Sequence, residues 1–193
     1  MSNIFEHCNF VTDEECDFLL KCAKESTPVN TNNQYFDDMV IYPQGMQSLE
    51  GVELMDDITT RMLETTCKNF EITQPMYRDA MILGVWVEGK YMAPHQDNQN
   101  LPGQEEYSTP WREYTAILYL NDDYEGGELL LPDKELRIKP KKAQLCAIEA
   151  GERHGVAAIK KGVRYTLITW FTSKEEKSHA LNQSIEYCRM MLN

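Results

Sequence analysis

The sequence predicts a mainly β fold with flanking helices (α+β), a β-sandwich or jelly roll with helices packed on one side. Three observations predict it. Residues 77–172 read as short β-forming runs separated by glycine and proline turns. Helix-like stretches stand before and after this region. No apolar run approaches the roughly 20 residues needed to span a bilayer. At 193 residues the chain is expected to be one domain: residues 1–76 a helical support, 77–173 the β core and 174–193 a C-terminal helix.

In chain order, Thr12-Asp13-Glu14-Glu15 opens a helix, with Thr12 as N-cap and Glu15 completing a capping box. Phe18, Leu19, Cys22 and Ala23 follow at helical spacing and form its apolar stripe. Residues 27–45 are polar and turn-rich, with a strand-like piece at Met39-Val40-Ile41-Tyr42. A second helix is expected over Leu49–Phe70, with Leu54, Ile58, Met62, Leu63 and Cys67 inward. The strands are expected at Tyr77–Val87, Glu113–Asn121, Glu128–Leu131, Gln144–Glu149, Val156–Ile159 and Arg164–Phe171. The tail reads as a polar helix with Leu181, Ile185, Cys188 and Met191 on one face.

Charge and cysteine usage narrow the function classes. Nineteen basic against 31 acidic residues give a net charge of −12, which repels nucleic-acid phosphates. The local cluster Lys139, Lys141, Lys142, Lys160 and Lys161 is the pattern of a solvated face. Six scattered cysteines without a Cys-x-x-Cys pair fit free thiols in a reducing compartment. The first residues carry neither a basic region nor an apolar core. The expectation is a cytoplasmic protein that binds no nucleic acid and no membrane.

The chemistry centres on Tyr91-Met92-Ala93-Pro94-His95-Gln96-Asp97. On an extended chain, residues two apart point to the same side, so one metal ion can meet both His95 and Asp97. Alone the triplet is weak: His7 and His179 show that this chain has histidines without evident purpose. His154 lies between two strand-like runs and supplies a third ligand. Two imidazoles and a carboxylate on one face of a metal suit non-haem Fe(II), with catalytic zinc as the competing metal. In the last strand, Arg164, Thr166, Ile168 and Trp170 share one face. An arginine among apolar residues needs an anion, either a carboxylate of this chain or a carboxylate-bearing ligand bound bidentately.

Taken together, His95, Asp97, His154 and then Arg164 ten residues on resemble the Fe(II)- and 2-oxoglutarate-dependent dioxygenases, most closely their prolyl 4-hydroxylase-like branch. Gly89-Lys90-Tyr91 before Pro94-His95, the run Arg112–Asn121, Gly126-Gly127-Glu128-Leu129, His154-Gly155-Val156 and Gly162-Val163-Arg164 carry the same resemblance. It covers roughly Tyr77 to Thr172, and the opening helix is similar as well.

The resemblance implies a double-stranded β-helix (jelly-roll) core with Fe(II) held by His95, Asp97 and His154. It implies that Arg164 pairs with the distal carboxylate of 2-oxoglutarate, with Tyr119 and Thr166 at the same end. Tyr91 and Trp170 become candidates for the substrate pocket. The implied reaction uses O2 and decarboxylates 2-oxoglutarate to succinate while hydroxylating a prolyl residue of a peptide or protein, with ascorbate as reductant. Residues 30–45 and 98–111 are the segments expected to choose the substrate. One departure stands out: where the family often has a pocket tyrosine nine or ten residues before the first histidine, this chain has Val85-Trp86. The other readings are an oxygenase acting on a free amino acid or other small molecule, and a non-catalytic jelly-roll binding module.

Overall fold

The computed structural model describes residues 4–26, 28, 39–99 and 109–193. Fifteen elements follow one another among these residues. The first part holds β1 (Ile4–His7), α1 (Asp13–Glu25), β2 (Val40–Ile41) and α2 (Leu49–Asn69). The core holds β3 (Tyr77–Trp86), β4 (Met92–His95), β5 (Tyr114–Tyr119), β6 (Glu125–Gly126), β7 (Leu129–Leu131) and β8 (Leu136–Ile138). It continues with β9 (Leu145–Glu149), β10 (His154–Val156), β11 (Ile159–Lys161) and β12 (Arg164–Thr172), and α3 (His179–Met191) follows.

The larger sheet runs β1-β9-β5-β12-β3-β2, and a second sheet runs β4-β10-β7-β8. Strand β11 pairs with β6 beside them. Every pairing is antiparallel. Strand alternation then sorts the side chains of the larger sheet into two layers. Leu83, Val85, Ala116, Leu118, Leu145, Leu167 and Phe171 join Leu19, Val52, Met55, Ile58 and Met62 in a core shared with the helices. The opposite face turns Ile82, Ile117, Tyr119, Ile148, Ile168 and Trp170 towards Leu129, Leu131 and Ile138 of the smaller sheet. The space between the sheets is the interior of the jelly roll, and the site lies there.

Local sequence explains the helices. Glu15 N–H donates to Thr12 Oγ1 at 3.1 Å and Thr12 N–H to Glu15 Oε2 at 2.7 Å, which closes the predicted capping box. Ser48 caps α2 by accepting from Gly51 N–H at 3.1 Å. The buried stripe of α2 is rotated from the expected one. Val52, Met55, Thr59 and Thr66 are fully buried with Ile58 and Met62, while Leu54, Leu63 and Cys67 are half-buried at its margin. The two threonines can face the core because their hydroxyls donate to Met55 O and Met62 O, each at 2.7 Å. In α3, Leu181, Ile185 and Cys188 are buried as expected, but Met191 is exposed and Ser184 takes part of the inner face.

Three further differences concern strands. Ile4–His7 pairs with β9 at the edge of the larger sheet, and Leu136–Ile138 adds an edge to the smaller one; neither was expected. The expected strand Val156–Ile159 is two strands, β10 and β11, in different sheets. Of the two turn-rich segments, residues 29–38 and 100–108 lie outside the described residues. Truncation of Leu167, fully buried in the middle of the central strand β12, to alanine is expected to cost about 2–5 kcal/mol. Urea unfolding checks it: the midpoint falls while the slope stays that of the parent chain.

Candidate metal centre and carboxylate pocket

β4 is a short strand that starts after a turn at Gly89, whose φ is +85°. Its last residue, His95, lies directly opposite His154 of β10. Gly155 permits this close pairing: a Cβ there would meet Met92 O at 2.7 Å and Pro94 N at 3.0 Å. The two imidazoles stand with ring centroids 4.6 Å apart. Asp97 enters one turn later, with its N–H donating to Ala150 O at 2.8 Å.

Ligand atoms from His95, Asp97 and His154 all lie within 4.8 Å of one another. His95 Nε2 is 3.3 Å from Asp97 Oδ1, and His154 Nε2 is 3.6 Å from Oδ2. Each histidine donates Nδ1–H to a backbone carbonyl at 2.9 Å, Ala93 O for His95 and Glu152 O for His154. A carbonyl only accepts, so both rings present a bare Nε2 lone pair to the centre. Burial opposes ionisation of Asp97. The neighbouring imidazoles and the Thr115 hydroxyl outweigh it, and the carboxyl is held well below the usual range. Burial also lowers the His154 pKa, which favours the neutral, ligating form. At His95 burial is outweighed by the Asp97 hydrogen bond, and the pKa is raised.

Asp97 is itself oriented. Thr115 Oγ1 donates to its Oδ2 at 2.5 Å and Trp170 Nε1 at 2.8 Å. Thr115 and Trp170 are register partners on β5 and β12, so one cross-strand pair fixes one carboxylate oxygen. The Arg112 guanidinium stacks 3.9 Å from the centre of the Trp170 ring and is held by Asp79 Oδ2 at 2.9 Å.

Behind the three ligands the pocket ends at Arg164, which is 1% exposed. No carboxylate among the described residues pairs with it, and its Nε and Nη1 have no hydrogen-bond partner. The ring of Tyr119 lies 4.9 Å and that of Trp86 5.3 Å from its guanidinium carbon. Tyr119 OH, Tyr124 OH, Thr166 Oγ1 and Trp86 Nε1 are also buried without partners. Burial pushes the two tyrosine hydroxyls up, so they are neutral donors. A buried cation with two unpaired N–H groups beside neutral hydroxyls that can donate suits an anion of several acceptors, and a carboxylate is one. The metal triad and a carboxylate subsite therefore share one pocket, and the residues present fit Fe(II) together with a keto diacid.

Of the residues singled out from the sequence, His95, Asp97, His154, Arg164 and Trp170 all line this pocket. Tyr119 and Thr166 sit beside Arg164 on the same sheet face. Tyr91 does not join them: it is 64% exposed, and Met92 is the residue of that segment that turns inward. Trp170 lines the pocket as expected, and its indole also holds a metal ligand. Sequence reasoning missed Thr115, Trp86 and Tyr124 as polar groups of the site. Thr115 was within reach of it, because alternation puts Thr115 on the face of Ile117 and Tyr119. Gly127 was missed as well: its φ is +68°, and a Cβ there would meet Tyr124 Cε2 at 2.9 Å and Arg164 Cδ at 3.0 Å.

Comparison with known proteins agrees with this geometry. Residues 81–172 match the model of the 2OG-Fe(II) oxygenase superfamily. Human prolyl 3-hydroxylase 2 is 39% identical over 69 residues, 32% of this chain and 10% of that protein. The chain thus matches about a tenth of the length of that curated relative. Among solved structures, a viral collagen prolyl hydroxylase from Paramecium bursaria Chlorella virus-1, in complex with 2-oxoglutarate, has a TM-score of 0.67 at 18% identity. That match covers 90% of this chain and 97% of the viral one. A Trichoplax adhaerens prolyl hydroxylase bound to a hypoxia inducible factor peptide has a TM-score of 0.66 at 18% identity, covering 93% and 86%. These structures share the jelly-roll fold. Over its central strands, residues 81–172, the chain is thus similar to the 2OG-Fe(II) oxygenase superfamily.

Replacing Thr115 by valine removes one donor to Asp97 Oδ2 at nearly constant shape, and replacing Trp170 by phenylalanine removes the other while keeping an aromatic ring. Either change is expected to weaken Mn(II) binding roughly 10–100-fold. An electron paramagnetic resonance titration of free Mn(II) measures it, and an unchanged affinity in both variants would show that Asp97 needs no such support.

Proposed function

We propose that the protein is an Fe(II)- and 2-oxoglutarate-dependent oxygenase that hydroxylates prolyl residues in a peptide or protein. The observation that carries the chemistry is the shared pocket: three metal ligands at one end and an unpaired buried arginine at the other. A catalytic zinc site has no need of that arginine, whereas a metal-bound keto diacid does. The prolyl reading is supported by the curated prolyl 3-hydroxylases and by the solved prolyl hydroxylases of the same fold.

Bound together with O2, Fe(II) and 2-oxoglutarate supply an oxidative decarboxylation that yields succinate and CO2 and puts one oxygen atom on a C–H bond of the substrate. The chain holds and shields that chemistry. His95, Asp97 and His154, whose ligand atoms lie within 4.8 Å of one another, would hold the Fe(II). Arg164 anchors the distal carboxylate of the diacid and so sets which way its keto end points. Met92, Ile117, Leu129, Val156 and Ile168 line the walls between the two ends and exclude water. The chain also carries six free cysteines, which supports a reducing, cytoplasmic setting. No helix among the described residues is long and apolar enough to cross a membrane.

Succinate formation from 2-oxoglutarate in air, with Fe(II) and ascorbate, is expected to rise when a proline-containing peptide is added, and the peptide is expected to gain one oxygen on proline. Fragment masses and amino-acid analysis then assign the 3- or 4-position of the ring. Turnover that no peptide stimulates would move the substrate to small molecules, and equal silence of the native protein and His154→Ala would sink the oxygenase reading. Separately, a hundredfold excess of 2-oxoglutarate over its Kd is expected to stabilise the Mn(II)-loaded protein by about 2.7 kcal/mol. Arg164→Met is expected to abolish that stabilisation while Mn(II) still binds, as read by thermal unfolding.

A further inference from the structure

Strand β3 carries one residue more than its partner can pair. Trp170 of β12 lies opposite Ala80, and the next residue, Phe171, lies opposite Arg78. Asp79 is therefore the extra residue of a β-bulge, a device that re-aims side chains. Plain alternation from the inward-facing Ile82 and Ala80 would turn Arg78 into the sandwich and Asp79 towards the helices. The bulge reverses both. Arg78 reaches α2, where its Nη1 donates to Asp56 O at 2.8 Å and its Nη2 to Asp56 Oδ1 at 2.7 Å. Asp79 Oδ2 instead accepts from Arg112 Nε and from Trp111 Nε1, each at 2.9 Å.

One carboxylate oxygen thus fixes where the Arg112 guanidinium stands. It stands over the Trp170 ring, 3.9 Å from the ring centre. The edge of the same ring carries the Nε1–H that donates to Asp97 Oδ2 at 2.8 Å. A ring held on its face resists tilting, so its N–H keeps one direction. A cation over the face also draws on the π electrons and leaves the N–H a stronger donor.

We infer that Asp79 and Arg112 are positioning residues for the metal ligand Asp97, which they aim through the Trp170 indole. The inference rests on the metal-centre reading above and extends it to side chains that act on a ligand through another residue. The sign of the effect sets this role apart from simple electrostatics. By its charge alone Arg112 repels a divalent cation, so losing it would tighten metal binding. Loss of the clamp does the opposite.

The test is a cycle of Mn(II) titrations read by electron paramagnetic resonance, on the full chain without peptide or keto acid. It compares the native protein, Arg112→Met, Trp170→Phe and the double variant. Arg112→Met is expected to weaken Mn(II) roughly three- to tenfold, a cation–π contact read as affinity. In the Trp170→Phe background no N–H reaches Asp97, and the same change is expected to cost nothing further. Arg112→Gln, which keeps a donor for Asp79, stands in if the methionine variant does not fold. Unchanged or tighter Mn(II) binding in a folded variant overturns the inference, because the indole then needs no clamp. An equal loss with and without the indole N–H also overturns it, because Arg112 then acts on the fold and not on the ligand. If the native protein binds no Mn(II) at all, the metal-centre reading itself fails, and this inference with it.

Discussion

A guanidinium sealed inside a β-sandwich without a carboxylate is the constraint on which the rest of this structure depends. Desolvating such a charge costs on the order of several kcal/mol. The surrounding fold withholds the cheap remedy, since no acidic side chain among the described residues meets Arg164. Two aromatic rings flank it, and the hydroxyls nearby are donors or neutral. The packing of the hydrophobic layers must outweigh this standing deficit. On the proposed reading the return is an anion site whose arginine is already in place.

The metal end is organised by strand register rather than by loops. His95 and His154 are direct neighbours across β4 and β10, and Thr115 and Trp170 are direct neighbours across β5 and β12. The first pair supplies ligands and the second aims the carboxylate between them. Gly155 and Gly127 serve the same end by leaving out atoms, one so that two backbones can approach and the other so that the arginine side chain can pass. A glycine in a sequence motif thus marks where another group has to be.

Much of this was legible in the sequence. A His-x-Asp on an extended segment, a later histidine and an arginine on an apolar strand face are local patterns with chemical meaning, and they located the site. The run of short strands pointed to a β-sandwich or jelly roll, and the resemblance chose the jelly roll. What stayed hidden depends on partners far away in the chain. Whether Trp170 merely packs or holds Asp97 is decided by the register of β12 against β5. The direction of Tyr91 is decided by the backbone turn at Gly89, whose φ of +85° no pattern of apolar residues encodes. The rotated face of α2 has a similar cause: Thr59 and Thr66 count as polar in any pattern, yet they satisfy their hydroxyls on their own helix and turn inward. Edge strands of three or four residues, such as β1 and β8, are too short to carry a periodic signal of their own.

The alternation of β12 has a practical consequence. Its odd-numbered residues Tyr165, Leu167 and Phe171 pack among the helices, while Arg164, Ile168 and Trp170 line the pocket and Thr166 shares their face. One strand therefore carries two nearly separate sets of instructions, one for how long the fold lasts and one for what it holds. Directed evolution for heat resistance can work on the helix side and leave the ligand chemistry alone. A library aimed at new cosubstrates can vary the pocket side without first rebuilding the helical layer.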